Sequence, residues 1–257
     1  MSKRIRIGLI VPSTNSTAEA DFNLVAPDNV TVHGQRVWLR NEDLSGEGMD
    51  RMNEEVEQAA LYLGSAKVDY IIYACTTGSF YKGPGYDRQI IEDIERVAGV
   101  PATATAVACV EALNHFAIKR LSVVSPYNEW QNGRLETYLN ASGFVVLNVS
   151  GDPAGAVAGA QGHNDLSPKS ALAFSENKCL VEAEGMLCSC TAWRTLEIVS
   201  ELENRLNKPV VTANQATIWM AFLALGVQPR RGFGSLLDSI SRSTMDGTEA
   251  KIQSVCK

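Results

Sequence analysis

The sequence predicts an α/β protein built from two pseudosymmetric, Rossmann-like domains, each a parallel sheet flanked by helices, with the site in the cleft between them. Three observations carry this. Short apolar runs alternate with segments of helical periodicity along nearly the whole chain, the pattern of βα units that feed a parallel sheet. Two of the runs end in the same pair, Cys75-Thr76 and Cys190-Thr191. The two halves also repeat one plan: Ile7 to Pro12 corresponds to Leu121 to Pro126, with 63 positions from Pro12 to Cys75 and 64 from Pro126 to Cys190. Gly99-Val100-Pro101 then corresponds to Asn207-Lys208-Pro209, each followed by a threonine and a helix. The repeat divides the chain into residues 1–115 and 116–225, with 226–257 packing back on the first half.

Taken in order, Ile5 to Val11 reads as a strand, and Pro12 to Thr17 as a turn-and-cap cluster before a helix from Ala18. Val30 to Val37 is a second strand, and the polar stretch Asn41 to Gly48 suggests a flexible flap. Val56, Ala59, Ala60 and Leu63 give helical spacing over Asn53 to Leu63. Val68 to Tyr73 is a buried parallel strand. Helices follow over Tyr86 to Ala98 and Ala106 to Phe116, with a short strand at Gly99 to Thr103 between them. In the second half, strands are expected at Arg120 to Val124, Phe144 to Val149, Met186 to Cys190 and Pro209 to Thr212. Helices are expected over Trp130 to Ser142, Ala171 to Glu182, Thr195 to Asn207 and Gln215 to Leu225. Ser150 to Ser167 is rich in glycine and alanine and gives no periodicity. Gly232 to Leu237 reads as a terminal loop on the body, and the last dozen residues as a fraying end.

Composition narrows the function. Of 257 residues, 45% are hydrophobic and 20% charged, ordinary for a globular protein. A net charge of -6 and a pI near 5.2 argue against an electrostatic nucleic-acid binder. No apolar run reaches membrane-spanning length, and Met1 to Arg4 leads into a strand with no signal-peptide pattern. Six cysteines in a chain of this length do not make a disulfide scaffold, and their spacing fits no zinc ribbon. A cytoplasmic protein with reduced thiols and no cofactor or metal is the economical reading, with homo-oligomerisation left open.

The chemistry concentrates where strands end. In an open α/β sheet, ligands bind at the carboxyl ends of strands. A thiol there, followed by hydroxyls and free N–H groups, suits attack or proton transfer beside a bound anion. A single cysteine of this kind is more often inert core; the second copy changes that reading. Facing domains would each contribute one thiol, Cys75 and Cys190, to opposite faces of a planar carboxylate-bearing intermediate. The repeat matches Cys190, not Cys188, to Cys75, so Cys188, Cys109 and Cys179 are assigned to packing. Asn15, in the first strand-to-helix loop, is either an N-cap or a ligand contact.

These residues resemble the aspartate/glutamate racemase superfamily, in the branch that holds maleate cis-trans isomerase and arylmalonate decarboxylase. Ile10 to Glu19 is similar to the maleate isomerase opening, whose active-site asparagine matches Asn15. Ala74-Cys75 matches its nucleophilic cysteine, Pro126-Tyr127 its substrate-contacting tyrosine, and Ser189-Cys190 its second cysteine. Asn164 is the loose counterpart of a further asparagine. Thr76 to Gly83 resembles the decarboxylase loop in which Thr76 and Thr77 would bind carboxylate. Ser189 to Leu196 and Gly232 to Asp238 resemble its cysteine loop and tail. The decarboxylase has glycine where Cys75 stands and a tyrosine where Met49 stands.

The resemblance implies a cofactor-independent isomerase or racemase of a small carboxylic acid, with Cys75 and Cys190 catalytic and Asn15, Thr76, Thr77, Tyr127 and Thr191 binding substrate. Cys75, followed by a small polar run, is expected to favour thiolate and attack. Cys190, followed by Ala192-Trp193, is expected to stay a neutral acid. The alternatives are a decarboxylase of disubstituted malonates using Cys190 as proton donor, and a carboxylate-binding sensor without turnover.

Overall fold

The computed structural model describes residues 4–240. The fraying expected of the last dozen residues, and Cys256, lie outside the described residues. The first half forms one four-stranded parallel sheet from β1 (Ile5–Pro12), β2 (Val30–Val37), β3 (Tyr70–Tyr73) and β4 (Ala102–Ala104), in the order β2-β1-β3-β4. Its helices are α1 (Ala18–Val25), α2 (Gly46–Asn53), α3 (Val56–Ser65), α4 (Thr76–Phe80), α5 (Tyr86–Ala98) and α6 (Thr105–His115). The second half repeats the topology with β5 (Arg120–Ser125), β6 (Val145–Gly151), β7 (Gly185–Cys188) and β8 (Val210–Thr212), in the order β6-β5-β7-β8. Around it lie α7 (Glu129–Ala141), α8 (Pro153–Gly162), α9 (Pro168–Lys178), α10 (Val199–Leu206), α11 (Ala213–Leu225) and α12 (Ser235–Asp238). The α/β class and the two parallel sheets of the sequence reading are the observed fold.

The central strands are apolar on both faces because helices cover both. Ile7, Leu9, Ile10 and Val11 of β1, and Leu121, Val123 and Val124 of β5, are fully buried. Their two side-chain sets feed different layers: Ile7, Leu9 and Val11 join a core that continues into the second half, while Ile10 joins a smaller core with α2, α3 and α5. Helix α11 lies on α6, so corresponding helices of the two halves meet face to face. In the C-terminal segment, α12 packs on α11 and β8, and Arg230 donates its N–H to Val25 O, 2.8 Å, in the first half. No helix among the described residues is long and apolar enough to cross a membrane.

Several boundaries differ from the sequence reading. The flap expected over Asn41 to Gly48 gives way to α2, because Ser45 caps its start, accepting from Gly48 N at 3.1 Å, and Met49 and Met52 bury one face. The helix expected from Asn53 starts only at Val56, α2 ending at Asn53. Thr76 to Phe80 form a short helix rather than a loop. The strand of the second cysteine stops at Cys188, so Cys190 lies beyond it, with a φ of 146°. That positive φ is uncommon for a residue with a side chain and marks a strained, over-determined position. The unread segment 150–167 holds the end of β6, then α8, capped by Asp152 and started by Pro153, then a single 3₁₀ turn over His163–Asp165.

Candidate active site

In each sheet the strand order reverses between the first and third strands, which places a topological switch point between β1 and β3 and another between β5 and β7. The four loops leaving those strands converge. The loop after β1 carries Asn15, the turn after β3 carries Cys75, Thr76 and Thr77, the loop after β5 carries Tyr127, and the loop after β7 carries Cys190 and Thr191. All seven residues line one pocket. Gln131 of α7 and His163 also line it, as do Leu39, Leu44, Met49 and Ala160. The sequence reading missed both polar residues. Gln131 was readable only as part of a helix start, since Asn128 and Gln131 form the capping box of α7.

Two reciprocal bonds tie the halves together across the pocket. Asn15 Nδ2 donates to Thr191 Oγ1 at 3.0 Å, and Gln131 Nε2 donates to Thr77 Oγ1 at 3.0 Å. One runs from the loop after β1 to the loop after β7, the other from the helix after β5 to the turn after β3. Thr191 Oγ1 in turn donates to Ala74 O at 3.0 Å. Asn15 Oδ1 accepts from Thr17 N and Ala18 N at 2.9 and 3.0 Å, just ahead of α1, whose N-cap is Thr17, and this orients the amide nitrogen towards Thr191. Asn164 turns away from the pocket. Its side chain accepts from Ser16 N and Thr17 Oγ1 and donates to Thr14 O and Gln161 O, a structural bracket. It therefore does not stand beside the thiols as a substrate ligand, and His163, one residue earlier, occupies that place.

Cys75 is the N-cap of α4. Its Sγ accepts from Gly78 N at 3.3 Å. Glycine is needed at that donor, because a Cβ would lie 3.0 Å from Cys75 Sγ and 2.9 Å from the Met52 methyl group. Tyr73, fully buried, donates to Asn53 Oδ1 of α2 and lies beside the Cys75 thiol. Cys190 Sγ accepts from Ala192 N at 3.4 Å and faces His163 Nδ1 at 3.9 Å. Burial pushes the Cys75 thiol up to about 11, against the lowering effects of Gly78 N–H and the Tyr73 hydroxyl. Burial pushes Cys190 up further, to about 12, despite Ala192 N–H and the Tyr127 hydroxyl. The expectation of thiolate at Cys75 near neutral pH is thus corrected: desolvation outweighs the donors, and the resting pocket holds two neutral thiols. Cys75 labelling by iodoacetamide should consequently rise about tenfold per pH unit between about pH 7 and 10. A plateau below about pH 9, measured by mass spectrometry, would contradict this picture.

The remaining polar atoms suit an anion. Thr76 Oγ1 is buried without a hydrogen-bond partner, and an unpaired buried hydroxyl is costly unless a ligand completes it. Tyr127 is buried, and desolvation raises its phenol well above its ordinary value, so it stays a donor. Among the described residues, no lysine or arginine lines the pocket. Cys188 is fully buried outside it, with Ser175 Oγ at 3.9 Å from its sulfur. Cys188→Ala should cost about 1–2 kcal/mol of stability in a denaturant titration and leave turnover intact. A loss of turnover in the folded variant would reassign it.

The profile of the arylmalonate decarboxylase family matches residues 7–237. Maleate isomerase of Pseudomonas putida is 29% identical over 254 residues, covering 92% of this chain and 98% of its own length. Arylmalonate decarboxylase of Bordetella bronchiseptica is 27% identical over 239 residues, covering 90% and 96%. Among solved structures, a cysteine-to-alanine variant of maleate isomerase from Pseudomonas putida S16, crystallised with maleate, superposes with a TM-score of 0.85 at 25% identity, covering 93% of this chain and all of that one. The match runs through both sheets and all four loops of the pocket, and the chain belongs to the arylmalonate decarboxylase family.

Proposed function

We propose that this protein is a cofactor-independent cysteine isomerase of a small carboxylic acid, most like maleate cis-trans isomerase and acting within the aspartate/glutamate racemase superfamily. The observation that carries the reading is the pair of thiols, Cys75 and Cys190, one from each sheet, lining one pocket. Residues 1–115 and 116–225 are read as duplicated domains, with 226–257 as an appended segment, and the free thiols suit a reducing, cytoplasmic setting.

In this mechanism Cys75 first gives its proton to water, and the thiolate so formed adds to one carbon of a C=C bond. The electron pair moves onto the neighbouring carbon and into its carboxylate, forming an enediolate. Thr76, Thr77 and Tyr127 donate to the oxygens where charge develops. Cys190 gives its proton to the carbanion carbon and becomes a thiolate. Rotation about the new single bond follows. Cys190 then recovers the proton as the C–S bond breaks, releasing the trans acid and the Cys75 thiolate. A racemase would use the same thiols to remove and return an α-proton on opposite faces. Tyr127→Phe keeps the ring and deletes one donor. It should lower kcat/KM by about 10²–10³-fold, the loss typical of one oxyanion donor. Unchanged kinetics would remove the hydroxyl from the site.

A decarboxylase reading is favoured by one feature, the apolar side formed by Leu39, Leu44, Met49 and Ala160. That side would accept the substituent of a disubstituted malonate, with Cys190 protonating the enediolate left by CO₂. Proton NMR in D₂O with maleate, α-amino acids and aryl-substituted malonates separates the readings. Conversion of maleate to fumarate supports the isomerase, α-deuteration the racemase, and CO₂ loss the decarboxylase. Binding without change in any substrate class would leave a sensor and overturn the proposal.

A further inference from the structure

The segment that gave no sequence signal delivers a titratable side chain to the pocket. His163 begins the 3₁₀ turn after α8, is only 3% exposed, and lines the same pocket as both thiols. Its placement is fixed by the residue after it. Through four hydrogen bonds of 2.8–3.0 Å, Asn164 fastens this turn to Thr14, Ser16 and Thr17 of the loop after β1 and to Gln161. The result is an imidazole whose Nδ1 faces Cys190 Sγ at 3.9 Å and which the Gly155 and Pro126 carbonyls also approach; the Nδ1–H tautomer is the one that can donate to the sulfur. Its ring lies 6.2 Å, centroid to centroid, from that of Tyr127. Burial draws its pKa down to about 4, so it is a neutral imidazole at neutral pH and brings no cation into the pocket. A neutral ring with this pKa cannot hold the proton of a thiol as weakly acidic as Cys190. It can donate a hydrogen bond from Nδ1–H.

We infer that His163 is a positioning residue that donates, through Nδ1, to the Cys190 thiolate formed during turnover. Together with Ala192 N–H it places two donors around that sulfur, while the Tyr127 hydroxyl serves the substrate. At 3.9 Å the contact is long, and catalytic hydrogen bonds commonly tighten only in the Michaelis complex. No proton transfer to the ring is involved: the imidazole stays neutral, and the sulfur alone changes charge. The inference rests on the two-thiol reading for its role in turnover, and its test needs no substrate.

The two ring nitrogens can be told apart by substitution. His163→Asn keeps an amide group near the Nδ1 position, His163→Gln keeps one near Nε2, and His163→Leu keeps neither. Each variant is checked by circular dichroism and thermal melting. Iodoacetamide labelling of Cys190 and Cys75 is then followed by mass spectrometry at about pH 8, with Cys75 as internal reference. The expected result is Cys190 labelling slowed about tenfold in His163→Leu and His163→Gln and within about twofold of wild type in His163→Asn, one hydrogen bond to an anion being worth roughly that factor. Cys75 labelling should not change. With a confirmed substrate, kcat should follow the same order while KM stays within about twofold. Equal Cys190 labelling in all four proteins, a parallel loss at Cys75, no Cys190 labelling in wild type, or variants too unstable to fold would each overturn the assignment of Nδ1 as a donor. If labelling follows the expected order but no carboxylic acid is turned over, the functional reading fails and the His163 contact stands.

Discussion

Cys75→Ser is expected to abolish isomerisation while leaving the fold intact. The oxygen can accept the Gly78 N–H that caps α4, as Sγ does at 3.3 Å, so the turn after β3 should keep its shape. What the hydroxyl cannot do is ionise. The thiol already sits at about 11 through burial, and an alcohol in the same desolvated place lies far higher. The nucleophile that opens the C=C bond is then missing. Loss of a nucleophile in a concerted site typically costs about 10⁴–10⁶-fold in turnover, so no fumarate should form above the uncatalysed rate. Melting temperature and ligand-induced stabilisation should persist, because Thr76, Thr77, Tyr127 and Asn15 remain. The same variant decides between the two enzymatic readings. If it still releases CO₂ from an aryl-substituted malonate, and does so with higher stereochemical purity than the unmodified protein, Cys190 alone is sufficient and the decarboxylase reading prevails. Retained isomerisation would end the two-thiol mechanism.

The parts of this site that could be read from sequence share a physical origin. Cys75, Thr76, Thr77, Cys190 and Thr191 follow apolar runs that can only be buried parallel strands, and the end of such a strand at a switch point fixes where the next residues go. Asn15 and Tyr127 sit in the loops after β1 and β5, Asn15 marked by its place between strand and helix and Tyr127 by the family resemblance. The elements that escaped notice are those whose order comes from tertiary contact. Helix α2 is polar with two glycines, and it is held by buried Met49 and Met52 and by bonds of Asn53 to Tyr73, Tyr86 and Gly78, all distant in sequence. Helix α8 is built of alanine and glycine, which give no hydrophobic period, and it bends at Gly159, where φ is 71°. Its start was nevertheless legible as Asp152-Pro153, a cap followed by a proline at the first helical position. His163 had no local signal at all. It reaches the pocket because Asn164 bonds to a loop about 150 residues earlier in the chain, and no pattern within the segment encodes that. The acidity of the thiols escaped for the same reason: neighbours in sequence pointed to an anion-binding turn, whereas the depth of burial that outweighs it is a property of the assembled halves.

Cys190→Ala should separate the two thiols. The sulfur is the acid of the proposed reaction, held neutral by burial at about 12 and set beyond β7 at a φ of 146°, a conformation retained only where the surroundings impose it. Alanine keeps the backbone and the small volume, so the loop and the Thr191 bonds to Asn15 and Ala74 should survive. Removal of a positioned general acid costs about 10²–10⁴-fold, and turnover should fall within that range. The step before it should remain. Cys75 should still be alkylated by iodoacetamide at the wild-type rate, and a small unsaturated acid should still protect it. On prolonged incubation with maleate, intact-mass analysis should show a covalent adduct one substrate mass heavier. Its carbanion carbon takes its proton slowly from water, and without Cys190 to remove that proton again the C–S bond cannot break. The adduct should be absent from Cys75→Ser. If Cys190→Ala instead turns over normally, the acid is elsewhere. If Cys190 in the unmodified protein is the faster-alkylated, ligand-protected thiol, the two roles are exchanged and the proton donor must be sought at Cys75.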